Sequence, residues 1–287
     1  MSSISGKTKI CGIIGDPIEH TMSPAMHNAA FGALDLDYIY LPFRVRREEL
    51  KGAMNGMRAL NIAGLNVTIP HKSDVIPLLN KLDPLAGRMG AVNTIVNEDG
   101  KLTGDNTDAP GFLRALRSKG VEPDGKKIVI LGAGGAAKGI SFILAGAGAS
   151  LVILNRTLSR AEELASQIAS YYGRKLTAMT LSEKNLKHTL DGADVLVNTT
   201  SVGMVPDVGQ TPVPSGLLKP DMTVFDIVYN PRETRLLREA KAAGARTIDG
   251  LDMLVWQGAL AFEKWTGREA PFEIMKGAAV KALGHER

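Results

Sequence analysis

Lys127-Ile128-Val129-Ile130-Leu131-Gly132-Ala133-Gly134-Gly135-Ala136-Ala137 decides how the rest of the chain is read. A β-branched run enters a glycine-rich turn and an apolar helical pattern follows, so the order is strand, turn, helix. Gly132 makes the tight exit from a buried strand, and Gly134 lets backbone approach a pyrophosphate. Ala137 is small enough for helix and strand to pack closely. The N–H groups that open the helix then face the phosphates. Glycines also end strands for purely local reasons, so the next unit has to strengthen the reading.

It does so at the end of the second strand, Leu151 to Leu154, where an NAD enzyme places Asp or Glu on the ribose 2′-hydroxyl. This chain has Asn155-Arg156-Thr157, with Arg160 one helical turn on. An acid would repel a 2′-phosphate, whereas two guanidinium groups offer it charge-assisted hydrogen bonds. Cations at a helix start are disfavoured by the helix dipole, and an anionic ligand offsets that mismatch. The expected cofactor is NADP(H).

A length of 287 residues exceeds the usual size of one hydrophobic core, so two domains are expected. The net charge of +4 is mild, and basic residues alternate with acids, as in Arg44-Val45-Arg46-Arg47-Glu48-Glu49. This is a solvated helix start, not a nucleic-acid surface. The single cysteine, Cys11, excludes an internal disulfide and a cysteine-rich metal site. A reducing, cytoplasmic location follows as an expectation, with no metal. Neither a signal-peptide pattern at Met1 to Lys7 nor an apolar run of bilayer length is seen, so no membrane partner is expected. A homodimer is compatible with the sequence, which does not fix the oligomeric state.

Ahead of the glycine turn, strand and helix patterns alternate: Lys9 to Ile14, Pro24 to Leu34, Tyr38 to Phe43, Arg47 to Leu60 and Gly64 to Ile69. Alternation implies a parallel sheet covered on both faces. Ser23 reads as an N-cap with Pro24 at the first helical position. The loop Gly15 to Ser23 therefore lies beyond the carboxyl end of the first strand, where ligands bind in open α/β sheets. Asn66-Val67-Thr68-Ile69-Pro70-His71-Lys72 runs toward a helix expected near Ser73 to Leu79, which places Lys72 against the positive end of a dipole. The Asn97-Glu98-Asp99-Gly100 turn predicts a hairpin. Thr107 or Asp108 is expected to cap a helix carrying Pro110. Later strands are expected at Leu176 to Met179, Val195 to Asn198, Thr223 to Ile227 and Arg246 to Ile248. Two final helices, Met253 to Trp265 and Pro271 to Leu283, are expected to return to the first domain. Periodicity does not say which way Gln257 points.

These segments, taken in order, resemble the shikimate dehydrogenase family along nearly the whole chain. Gly15-Asp16-Pro17-Ile18 with His20-Thr21-Met22-Ser23-Pro24 resembles its substrate-carboxylate loop. Asn66 to Lys72, Gly90-Ala91-Val92-Asn93-Thr94 and Gly104-Asp105-Asn106-Thr107-Asp108 resemble its polar active-site segments. Asn155-Arg156-Thr157 is similar to its NADP clamp, and Gly250 to Gln257 to its C-terminal signature. The resemblance implies an α/β fold of two domains: a mainly parallel substrate domain, 1–107, completed by helices in 251–287, and a Rossmann-type NADP domain, 108–250. It implies NADPH-dependent reduction of 3-dehydroshikimate to shikimate, a step of aromatic amino-acid and chorismate biosynthesis, in a fold that closes over its substrate.

Carried over by residue, Lys72 and Asp108 become the catalytic pair, and Thr21 and Ser23 hold the substrate carboxylate. Thr68, Asn93, Asp108, Tyr229 and Gln257 bind ring hydroxyls, and Ile227 and Gly250 flank the nicotinamide. Two departures stand out: Thr21 where the family commonly has serine, and Ala109 where it commonly has glycine. The first bears on substrate fit and the second on domain closure. The chemistry agrees, because a ketone reduction needs a proton donor beside the developing alkoxide, and a lysine oriented by a carboxylate is one. The alternatives are a quinate or dual-substrate dehydrogenase and, more remotely, a dinucleotide-sensing protein without turnover. A sensor has no need of the Lys72 and Asp108 pair.

Overall fold

The computed structural model describes residues 4–285, so Met1 to Ser3 of the stretch read for a signal-peptide pattern lie outside the described residues. The chain divides into two compact α/β units, one running to Gly111 and resuming at Val255, the other Phe112–Leu254. In the first, the elements are β1 (Lys9–Gly15), α1 (Ser23–Ala33), β2 (Tyr38–Arg44), α2 (Leu50–Ala59), β3 (Gly64–Val67), β4 (Lys81–Leu82), α3 (Pro84–Met89), β5 (Thr94–Glu98) and β6 (Lys101–Asp105). Helix α4 (Asp108–Ser118) carries the chain out of this unit. The sheet order is β2-β1-β3-β5-β6-β4.

The β2-β1-β3 half of that sheet and the short β4–β6 edge follow the parallel expectation, whereas β5 runs antiparallel to both β3 and β6. The cause is local: Asp99 and Gly100 both take positive φ, which turns β5 tightly back into β6. A core of Ile14, Met54, Met57, Leu65, Val67 and Ile95 fills one face. On the other, His27 stacks on Tyr40 at 4.4 Å between ring centroids, among Phe31, Phe262 and Trp265.

The helix expected over Ser73 to Leu79 does not form; a 3₁₀ turn at Ile76–Leu78 replaces it. Pro77 has no N–H for a helical ladder, and the Lys72 carbonyl is taken by the Val92 N–H at 2.7 Å. The expected dipole penalty on Lys72 therefore has no source. Two cap readings also change. Ser23 sits inside α1 with Met22 as cap residue and no side-chain cap bond. Asn106, not Thr107 or Asp108, caps α4 with its side chain, accepting from the N–H groups of Asp108 at 3.0 Å and Ala109 at 3.5 Å.

The second unit contains β7 (Lys127–Leu131), α5 (Gly135–Gly146), β8 (Ser150–Asn155), α6 (Leu158–Tyr172), β9 (Thr177–Thr180), α7 (Glu183–Leu190), β10 (Val195–Asn198), β11 (Thr223–Asp226), α8 (Arg235–Ala242) and β12 (Arg246–Ile248). Its six strands are all parallel, in the order β12-β11-β10-β7-β8-β9. The order reverses beside β7, and in such sheets the crevice outside the carboxyl ends at the reversal is the ligand position. The glycine turn opens there. Helices α9 (Gly250–Thr266) and α10 (Phe272–His285) end the chain, and α10 lies against α1. No helix of the described residues is long and apolar enough to cross a membrane.

Candidate active site

Strand order gathers four distant segments of the first unit into one polar cluster. Lys72 follows β3, Asn93 precedes β5, Asp108 opens α4 and Gln257 lies on α9. Lys72 Nζ donates to Asp108 Oδ2 at 2.7 Å, with the two side chains about one-third and one-quarter exposed. The other oxygen, Asp108 Oδ1, accepts from Asn93 Nδ2 at 2.8 Å. With Asn106 capping the helix, both carboxylate oxygens of Asp108 are left for these contacts. Asn93 Nδ2 also faces Thr107 Oγ1 at 3.0 Å and Gln257 Oε1 at 3.3 Å, which resolves the direction of Gln257.

The orientation of the Asn93 amide is fixed from behind. Its Oδ1 accepts from the backbone N–H of Thr107 at 2.8 Å, so its nitrogen has to face Asp108. Thr94 Oγ1 also donates to that oxygen, at 2.9 Å, and accepts from Asn66 Nδ2. The Asn66 oxygen accepts from Tyr40 Oη at 2.7 Å. Tyr40, Asn66, Asn93, Thr94 and Thr107 are all buried. Burial pushes the Tyr40 hydroxyl well above its ordinary pKa, so it stays protonated as a donor. A satisfied network of this kind holds a side chain in one orientation.

Thr21 and Thr68 are half-buried, and Ser23 is buried. The loop carrying Thr21 and Ser23 meets the segment carrying Thr68 through the Asp16 N–H to the Ile69 carbonyl, and the Thr68 N–H to the Ile14 carbonyl. His71 is buried and structural, with Nε2 2.7 Å from the Val45 carbonyl, which pins the backbone next to Lys72. Burial pushes the Cys11 thiol up to about 12, which leaves it unreactive at neutral pH. Tyr229, the remaining expected substrate contact, belongs to the second unit and is 39% exposed.

In the second unit, Gly132 takes φ +111°, and a Cβ there would meet Thr199 Oγ1 at 2.6 Å. Only glycine makes this exit. Above Gly134 and Gly135 an added Cβ would meet no protein atom within 4 Å. A cavity of about 310 Å3 opens at this point, lined by Ala133, Gly134, Gly135, Lys138, Arg160 and part of α6. Among the described residues no carboxylate forms an ion pair with Lys138, Arg156 or Arg160. Unpaired cations, open backbone and a helix start suit an anionic dinucleotide. Asn155 turns its amide to the Thr157 carbonyl at 2.9 Å and tightens the turn that carries Arg156. Ile227 and Gly250 lie side by side, since a Gly250 Cβ would lie 2.2 Å from the Ile227 carbonyl oxygen.

Sequence reasoning missed Tyr40, Thr94 and Lys138. Lys138 had a readable signal, a cation in the first turn and a half after the glycines; Tyr40 had none.

A Rossmann-type unit joined to an α/β unit that carries a lysine–carboxylate pair defines the class of two-domain, dinucleotide-binding α/β proteins. Comparison with known proteins narrows it. The models described as shikimate dehydrogenase substrate binding domain, shikimate / quinate 5-dehydrogenase and shikimate 5′-dehydrogenase C-terminal domain match residues 13–95, 115–253 and 250–280. The shikimate dehydrogenase (NADP(+)) of Methanosarcina barkeri is 52% identical over 278 residues, covering 96% of this chain and 99% of that protein. A crystal structure of a shikimate dehydrogenase in complex with NADP+ is similar with a TM-score of 0.92 at 45% identity, covering 98% of each chain. The Thermus thermophilus shikimate 5-dehydrogenase, in complex with NADP(H) and shikimate, gives 0.85 at 39% identity, covering 96% and 99%. The chain belongs to the shikimate dehydrogenase family.

Proposed function

We propose that this chain is an NADP-dependent shikimate dehydrogenase, catalysing the reversible reduction of 3-dehydroshikimate to shikimate. The observation that carries the reading is the Lys72–Asp108 pair at 2.7 Å, braced on its free oxygen by Asn93. A proton donor held in one orientation is what ketone reduction requires of the protein. The cofactor supplies hydride when bound. Lys72 gives its proton to the developing alkoxide oxygen and takes it back in the reverse direction. Asp108 holds the ammonium in place. On this reading Thr21 and Ser23 bind the substrate carboxylate, and Thr68, Asn93, Asp108, Tyr229 and Gln257 bind the ring hydroxyls.

The residues present fit the cofactor. Ala133, Gly134, Gly135 and Ala136 offer backbone to the pyrophosphate, Arg160 and Arg156 face the 2′-phosphate with Asn155 and Thr157 shaping the turn, and Ile227 and Gly250 lie at the nicotinamide end. The substrate domain is thus the first unit and the NADP domain the second. A cytoplasmic enzyme, active as a monomer or a homodimer, is consistent with this assignment. The test is absorbance at the NADPH band with purified protein, shikimate and NADP+. Growth of the band is expected, and its absence under conditions where the protein is folded and binds NADP+ would favour a sensor.

A further inference from the structure

Asp226, at the carboxyl end of β11, is fully buried, and the chemistry above leaves it without a role. Three neutral donors from three places converge on it. Asn198 Nδ2, at the end of β10, and the Val228 N–H reach Oδ1 at 2.9 and 3.1 Å, and Thr234 Oγ1, which caps α8, reaches Oδ2 at 2.7 Å. Asn198 in turn accepts from the N–H and hydroxyl of Thr200, and its carbonyl accepts from the Ile227 N–H at 3.1 Å. The neighbouring Thr199 hydroxyl donates to the Leu131 carbonyl at 2.6 Å, immediately before the glycine turn. Asp226 thus ties the irregular segment Ile227 to Tyr229 to the end of β10, and the neighbouring Thr199 ties that end to β7. Gly250 packs closely on this segment, since a Cβ there would lie 2.2 Å from the Ile227 carbonyl oxygen.

We infer that Asp226 is a positioning residue whose ionised carboxylate holds Ile227 to Tyr229 in place beside the cofactor. This rests on the assignment of Ile227 to the nicotinamide end. A protonated Asp226 loses its charge, so the Asn198 and Val228 N–H groups on Oδ1 lose their charge assistance and the Thr234 hydroxyl has to turn round and accept from Oδ2, which weakens the hold on the segment. The charged groups on the surrounding elements are engaged elsewhere: Arg232 with Asp249, Arg235 with Glu239, Lys241 with Glu233, and Arg238 with the Glu233 carbonyl. No cation therefore holds Asp226 ionised, and burial pushes it up to about 6. The sign has an unusual consequence. Because the folded chain holds this proton more tightly than the unfolded one, acidification from about 6 toward 3.8 favours folding through Asp226 while releasing the segment. Cofactor affinity and stability move in opposite directions.

The experiment measures KM for NADPH, kcat and melting temperature across roughly pH 5.5 to 8.5 for wild type, Asp226→Asn, Thr234→Val, Thr234→Ser and Ile227→Ala. At pH 8, Asp226→Asn is expected to raise KM for NADPH about tenfold, the size of one hydrogen bond to a charged group, with kcat changed much less. It also loses the part of the wild-type KM rise below pH 7 that Asp226 contributes; titration of the 2′-phosphate is common to both proteins. Thr234→Val moves the same way and Thr234→Ser restores the wild-type course. If Asp226→Asn does not fold, Thr234→Val against Thr234→Ser carries the test. A wild-type KM and pH course in these variants, with Ile227→Ala impaired, overturns the role of Asp226 alone. An unimpaired Ile227→Ala overturns the cofactor placement and this inference with it.

Discussion

The two candidate sites are built on opposite plans. At the glycine turn the working groups are backbone N–H and cations left unpaired, arranged around open space at the end of one strand. At Lys72 and Asp108 the working groups are side chains, and each is held by another side chain in a buried chain of contacts reaching back to Tyr40. An open, backbone-built site tolerates loss of one contact, because the others still bind. A closed network passes each loss to the next member, so it fails as a unit.

Substitutions sharpen this contrast, and the largest effect is expected in the closed site. Lys72→Ala should lower kcat by roughly 10² to 10⁴, the usual contribution of a positioned acid or base, with KM for shikimate changed far less. At the open site, Arg160→Ala should raise KM for NADPH by about tenfold, one charge-assisted contact, and leave kcat near wild type. Steady-state kinetics with NADP and NAD compare the two directly: the wild type should prefer NADP by at least about tenfold, and Arg160→Ala should shrink that preference.

Substrate choice is expected to be of similar size. Quinate carries an extra hydroxyl on the carbon bearing the carboxylate, and in the proposed carboxylate site it would be crowded by Ser23, which is buried, and by the Thr21 methyl. Crowding and an unpaired hydroxyl each cost about 1 to 3 kcal/mol, so shikimate should exceed quinate in kcat/KM by at least about tenfold. Ser23→Gly should narrow the ratio. Equal efficiencies in the wild type would favour the dual-substrate alternative.

The smallest expected effect lies behind the closed site. Both ring nitrogens of the fully buried His27 are without a hydrogen-bond partner, and burial pushes its pKa down to about 3. The unfolded chain therefore binds this proton first. Stability is lost as pH falls below about 6.5, at roughly 1.4 kcal/mol per unit, until the folded side chain itself titrates. His27→Phe keeps an aromatic ring in the cluster and should stabilise by about 1 kcal/mol at neutral pH and by more at pH 5, read by thermal or urea unfolding. Equal sensitivity to acid in both proteins would show that His27 is not the group responsible.

The same difference in plan explains what the sequence made legible. Gly132 to Ala137 is a local signal: the strand, the turn and the helix that use it are contiguous, so spacing alone located it. Family motifs point to Lys72, Asp108 and Asn93, but they give no role to Thr94 and do not include Tyr40. Their roles arise only when β3 and β5 pair antiparallel and β1 and β2 bring Tyr40 beside Asn66, a long-range outcome with no periodic trace. The errors were local competitions. Pro77 and the Val92 N–H prevented a helix after Lys72, and Asn106 out-competed Thr107 and Asp108 for the cap, which left the Asp108 carboxylate for Lys72.

The central claim is that Lys72 and Asp108 act together in reducing the substrate ketone. A double-mutant cycle on kcat with NADPH and 3-dehydroshikimate, using Lys72→Ala, Asp108→Asn and the pair, tests it most directly. The account predicts strong non-additivity, with Asp108→Asn costing much less in the Lys72→Ala background than in wild type. Near-normal turnover in Lys72→Ala, or losses that simply add, would contradict it.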